Sequence, residues 1–172
     1  MGSAATTVIT IRQYAATDVG ALTSLFRASV REIASRDYSA SQIREWAPDH
    51  IDERRFGQKC ESRPTWVAEV EGRIAGFSDL EPDGHVDMLY VHPDFQRRGV
   101  ARALLKHVEE AARAADLRRL YTEASITARA VFEAIGFRAV VPQTVTIGGV
   151  SMTNYRMEKW LAPSATSSGR VR

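Results

Sequence analysis

His85 to Ala112 reads HVDMLYVHPDFQRRGVARALLKHVEEAA, and this stretch decides the fold. His85 to Val91 alternates as a strand and Pro93 stops it. A loop, Gln96-Arg97-Arg98-Gly99-Val100-Ala101, runs straight into a periodic helix over 99–115, with Leu104, Leu105, Val108 and Ala112 on one stripe. Gly99 and Ala101 leave the backbone bare at the helix start. The amides from Arg97 to Ala101 can therefore converge on an anion, assisted by the positive end of the helix dipole. The side chains of Arg97 and Arg98 either add contacts or lie in solvent. The loop lacks the Gly-Lys-Ser/Thr of a Walker loop and does not match G-x-G-x-x-G, so a nicotinamide or flavin reading is poor.

Working outward, Val8 to Gln13 reads as a first strand, and 17–34 as an amphipathic helix carrying Leu22, Leu25, Phe26 and Ile33. Ser39 with Gln42 forms a capping-box pattern for a shorter helix that ends by Pro48. Residues 49–63 are polar, a weak helix or a surface loop. Thr65–Val70 and Arg73–Leu80 make a hairpin about Glu71-Gly72. Leu120–Ala124 is a strand, and Ala128–Ile135 a helix closed by Gly136. Phe137–Val141 and Ser151–Trp160 form a last antiparallel pair beyond a Gly148-Gly149 loop. The order βααβββαβαββ indicates a mixed α/β layer protein. Residues 1–7 read as a flexible start, 8–162 as one domain, and 163–172 as a disordered tail.

Composition narrows the function. The 172 residues are 44% hydrophobic and 26% charged, ordinary for one globular domain. A net charge of +2 is too balanced for a dedicated nucleic-acid binder. A lone cysteine, Cys60, excludes an internal disulfide and a cysteine metal cluster, and fits a reducing cytoplasm. No metal is expected. No apolar run approaches a membrane span, and Met1 to Thr7 lacks the features of a signal peptide.

Two motifs at the right separation then point to a family. Leu89-Tyr90-Val91, His92-Pro93 and Gln96-Arg97-Arg98-Gly99-Val100-Ala101 closely resemble the acetyl-CoA signature of the GNAT acetyltransferase superfamily. Ser125 to Phe137 (SITARAVFEAIGF) is similar to its second motif, and the resemblance extends over about 8–161. The stretches GVSMTNYRMEK and Tyr38-Ser39-Ala40-Ser41-Gln42 are similar to those of uncharacterised bacterial members. The resemblance implies an α/β (α+β) acyl-CoA N-acyltransferase fold. Its sheet would have six to seven mostly antiparallel strands, splayed between strands 4 and 5 and flanked by about four helices. The pantetheine arm of acetyl-CoA would lie in the splay against the main chain of Leu89 and Val91, with Thr127, Ala130 and Phe132 lining the other side. A homodimer is common in that family, yet no residue here demands one.

The sequence departs from the pattern twice. The usual Asn is Thr127. The usual Tyr, a frequent proton donor to the leaving thiolate, is Phe132, which has no proton to give. An alkylamine is mostly charged at pH 7, so a base must take its proton. Asp87 and His85 occupy the family's base positions, and alternation puts them on one face with Leu89, where they could relay a proton. Glu123 on the next strand is the rival carboxylate. The plainer reading of each is a surface charge. Tyr155 is the replacement acid, unless it is simply a packing residue. Tyr38 and Trp46 are candidates for an aromatic acceptor pocket, with core packing the commoner role for Trp46. Cys60 has no evident His partner, so no covalent intermediate is expected.

The expected activity is direct acetyl transfer from acetyl-CoA to a primary amine, on a small molecule or a protein. The alternative is a non-catalytic acyl-CoA-binding or regulatory module, suggested by Phe132.

Overall fold

The computed structural model describes residues 7–163. Residues 1–6 and 164–172, which hold most of the expected flexible start and disordered tail, lie outside the described residues.

Four strands, β1 (Ile9–Gln13), β2 (Thr65–Val70), β3 (Arg73–Asp79) and β4 (Leu89–Val91), form one antiparallel sheet in that order. Three more, β5 (Arg119–Ser125), β6 (Arg138–Ile147) and β7 (Val150–Trp160), form a second in the order β5-β7-β6. β2 is buried along nearly its whole length, because helices cover both faces of the first sheet. On one face lies α4 (Val100–Ala114), whose stripe of Leu104, Leu105, Val108 and Ala112 is fully buried. Gly76 on β3 lets it approach. A Cβ there would meet the Tyr90 carbonyl at 2.8 Å and Val100 Cγ1 at 2.9 Å. The opposite face packs on α1 (Val19–Glu32) through Leu22 and Leu25.

The hairpin at Glu71-Gly72 forms as expected, with φ of 53° and 74°. Elsewhere several element boundaries move. Ser39 caps α2 (Ala40–Trp46) with a complete capping box. Residues 53–61, expected to be at most a weak helix, form α3 (Glu53–Glu61), because the Asp52 side chain caps the Arg55 amide at 3.1 Å. This buries Cys60, which the sequence placed in a polar region, and burial pushes its thiol up to about 11. α5 (Ile126–Ala134) starts two residues earlier than expected, capped by Ser125. The described residues therefore hold five α-helices rather than about four. β6 runs on through Pro142 to Ile147, which an edge strand tolerates. No helix among the described residues is long and apolar enough to cross a membrane.

Candidate active site

The two sheets touch at one corner and then part. Val86 N–H donates to the Tyr121 carbonyl at 2.8 Å, and Tyr121 N–H to the Gly84 carbonyl at 3.0 Å. Beyond this the ladder stops because side chains take the backbone groups that would continue it. Thr122 Oγ1 donates to the Val86 carbonyl at 2.7 Å. Asp79 Oδ1 accepts both the Asp87 and Met88 amides, at 3.0 and 2.8 Å, and Ser78 Oγ donates to the Met88 carbonyl at 2.7 Å. Two successive amides aimed at one carboxylate make a bulge, and side-chain alternation is lost across it. Val86 packs with the α4 core and Met88 with the α1 core. The strand expected over 85–91 is accordingly only β4, Leu89–Val91.

Past the bulge the sheets diverge around a cavity of about 550 Å³. His92 N–H bonds the Ala75 carbonyl at 2.8 Å, and in the antiparallel register of β3 and β4 this turns the main chain of Tyr90 toward β3. The main chain of Leu89 and Val91 therefore faces the cavity. Leu89, Tyr90, Val91, Thr127, Ala130 and Phe132 all line it.

Gln96, Arg97, Gly99, Val100 and Ala101 close one end. Arg97 and Gly99 have φ of 60° and 83°, which turns successive amides to a common side. Among the described residues, none of the amides from Arg97 to Arg102 donates a hydrogen bond to the backbone. Arg97 lines the cavity, whereas Arg98 lies over the Phe95 ring at 5.4 Å and does not.

Asp87, just before β4, and Glu123, on β5, flank the other end. Glu123 Oε2 is bonded to His85 Nε2 at 2.5 Å, and His85 Nδ1 to Glu81 Oε2 at 3.1 Å. The imidazole stacks on Tyr121 with 4.8 Å between ring centroids. Burial works against the charged imidazole, but Glu123, Glu81 and Asp87 outweigh it and raise its pKa. Asp87 Oδ2 pairs with Lys59 at 2.5 Å and Arg63 at 3.4 Å. The expected His85–Asp87 relay is therefore corrected. His85 serves Glu123, and the route from His85 to Asp87 runs through Glu81 and Arg63, because the bulge breaks the alternation that would have paired them.

Two expected residues, Tyr155 and Tyr38, fall elsewhere. Tyr155, the proposed acid, does not line the cavity; its ring lies under the Arg129 guanidinium at 4.5 Å. Tyr38 is buried. Its hydroxyl donates to the Thr153 carbonyl at 2.6 Å and accepts from Ile126 N–H at 2.9 Å, so it locks the start of α5 to β7 instead of facing an acceptor. Trp46 packs edge-on against Tyr38 at 5.4 Å and does line the cavity. Thr127 donates to Asp37 Oδ2 at 2.8 Å. Phe132 packs edge-on against Phe137.

The sequence reading missed Gly84, Asp79 and Arg63. Asp79 had a signal, as a charged residue closing the apolar run Arg73–Leu80. No group of three or more His, Cys, Asp or Glu side chains among the described residues is arranged to hold a metal ion.

Splayed sheets, a bare-amide turn at the start of α4 and an apolar gap between them define an acetyltransferase of the GNAT class. A family profile described as "Acetyltransferase (GNAT) domain" matches residues 34–159, and the chain belongs to this family. It is 39% identical over 150 residues to "Uncharacterized N-acetyltransferase YafP" of Escherichia coli, covering 87% of this chain and 94% of that one. A GCN5-related N-acetyltransferase from Rhodopseudomonas palustris superposes with a TM-score of 0.87 at 34% identity, over 93% of this chain and all of that one. At 17% identity, PaiA N-acetyltransferase from Thermoplasma acidophilum, solved with coenzyme A, shares the fold with a TM-score of 0.74, covering 90% of this chain and 99% of that one.

Proposed function

We propose that the protein transfers the acetyl group of acetyl-CoA directly to a primary amine in a ternary complex, in the cytoplasm. The observation that carries this reading is the run of unbonded amides from Arg97 to Arg102 at the mouth of a gap walled by unpaired main chain. An orphaned amide needs a partner, and a diphosphate supplies several acceptors at once. Coenzyme A in the structure of PaiA supports the same choice of cosubstrate.

In this reading the Leu89 and Val91 main chain holds the pantetheine arm, and an amide on that strand polarises the thioester carbonyl. Glu123 takes the proton of the incoming amine, held in place by His85. Asp87, kept beside Lys59 and Arg63, supplies negative charge near the ammonium. The leaving group departs as a thiolate, which a thiol pKa of about 8.5 permits without a side-chain acid. That accommodates Phe132, and Tyr155 lying away from the gap.

The experiment is thiol release from acetyl-CoA across a panel of small amines and lysine peptides, with CoA affinity measured in parallel. Release with at least one amine supports the reading. Tight CoA binding without turnover on any amine would favour a regulatory acyl-CoA-binding module instead.

A further inference from the structure

We propose that Asp79 is a positioning residue for acetyl transfer, its buried carboxylate fixing the bulge that opens the gap and, through Arg63, the orientation of Asp87. The inference rests on the acetyl-CoA reading above. Asp79 is fully buried at the end of β3. Its two oxygens do different work. Oδ1 accepts the Asp87 and Met88 amides, at 3.0 and 2.8 Å, turning them away from β5. Oδ2 faces Arg63 Nη1 at 3.3 Å. The same guanidinium nitrogen pairs with Glu81 and, at 3.4 Å, with Asp87 Oδ2. Asp87 is thus gripped at both its amide and its carboxylate by groups that converge on Asp79. Glu81 continues the chain to His85 and Glu123, so one buried carboxylate anchors both acidic walls of the gap.

A carboxylate buried only to cap two amides would not need Arg63. A carboxylate buried only to pair Arg63 would not need the amides. Two substitutions separate the functions. Asp79→Asn keeps an oxygen for both amides but turns an N–H₂ toward Arg63. Asp79→Ala removes both contacts and leaves two amides unsatisfied.

The test measures CoA affinity by calorimetry, KM for acetyl-CoA, the pH profile of kcat/KM with the best amine of the panel, and thermal midpoint. Asp79→Asn should leave CoA affinity within about twofold of wild type, since the bulge survives. Its acidic limb should change shape, because a buried carboxyl that burial pushes up to about 6 no longer titrates beside Asp87, Lys59, Arg63 and Cys60. Asp79→Ala should weaken CoA binding and raise KM for acetyl-CoA by about tenfold or more, as two hydrogen bonds are lost. If Asp79→Ala does not fold, Thr122→Val, which frees the Val86 carbonyl on the same side of the gap, should also raise that KM.

A lower midpoint in Asp79→Asn with an unchanged pH profile, together with wild-type CoA affinity in the folded Ala or Thr122→Val variant, would reduce Asp79 to a structural residue and overturn the proposal. If the wild-type protein binds no CoA, the cosubstrate reading falls and takes this proposal with it. If wild type binds and the variants match it in every readout, only the proposal falls.

Discussion

Gly84 stands where the two sheets meet, and replacing it with Ala tests whether that corner sets the gap. Its φ is +94°, and a Cβ there would collide with the Arg119 carbonyl, whose carbon would lie only 3.3 Å away. The left-handed backbone costs an L-residue about 1–2 kcal/mol. Relieving the collision requires Gly84 and Arg119 to separate, which stretches the Tyr121-to-Gly84 and Val86-to-Tyr121 bonds. Two such bonds contribute about 0.5–1.5 kcal/mol each, bringing the expected loss to about 2–5 kcal/mol. For a chain of this size that corresponds to a fall in thermal midpoint of about 10 °C. Gly72→Ala is the control. Its φ is +74° but nothing lies within 4 Å, so it should lose only the conformational term. Thermal unfolding followed by circular dichroism, with CoA titration of each variant, reads both effects. Should Gly84→Ala unfold no earlier than Gly72→Ala and bind CoA like wild type, the corner does not govern the opening.

Gly99→Glu should abolish CoA binding, by setting an anionic side chain on a φ of +83° in the middle of the amide turn; calorimetry showing retained affinity removes the cradle from 97–101. Gly76→Ala should cost about 1–3 kcal/mol by forcing α4 off β3, measured as a lower urea midpoint with unchanged slope. Glu123→Gln should lower kcat by about a hundredfold or more with CoA affinity intact, and Asp87→Asn by less; equal kinetics to wild type would remove either from the mechanism. His85 has a folded pKa above its ordinary 6.5, so its contribution to stability is complete below pH 6.5 and is lost as pH rises through the folded value. The stability gap between wild type and His85→Gln should therefore narrow across that window, as chemical denaturation at several pH values would show.

The bare-amide end of the gap was legible in the sequence because its geometry is local. A strand, a glycine and a helix start within fifteen or so residues bring the amides together whatever the rest of the chain does. Strand and helix identities were equally readable, since period and capping act over a few residues, as Ser39 with Gln42 shows. Where such signals are weak, as at Asp52, the polar sequence hides helix α3.

The acidic end was not legible in the same way. Alternation assigned His85 and Asp87 to one face, but that rule assumes an unbroken ladder, and Asp79, eight residues upstream of Asp87, breaks it by capturing two amides in succession. Tyr155 and Tyr38 were chosen for their chemistry, yet a hydroxyl does what its surroundings require. Tyr38 satisfies a carbonyl and an amide from segments about a hundred residues away. Short-range sequence determined which backbone would be left bare for a ligand. Only the tertiary structure decided which carboxylates face it, because ion pairs and bulges depend on residues that meet through space and leave no periodic trace along the chain.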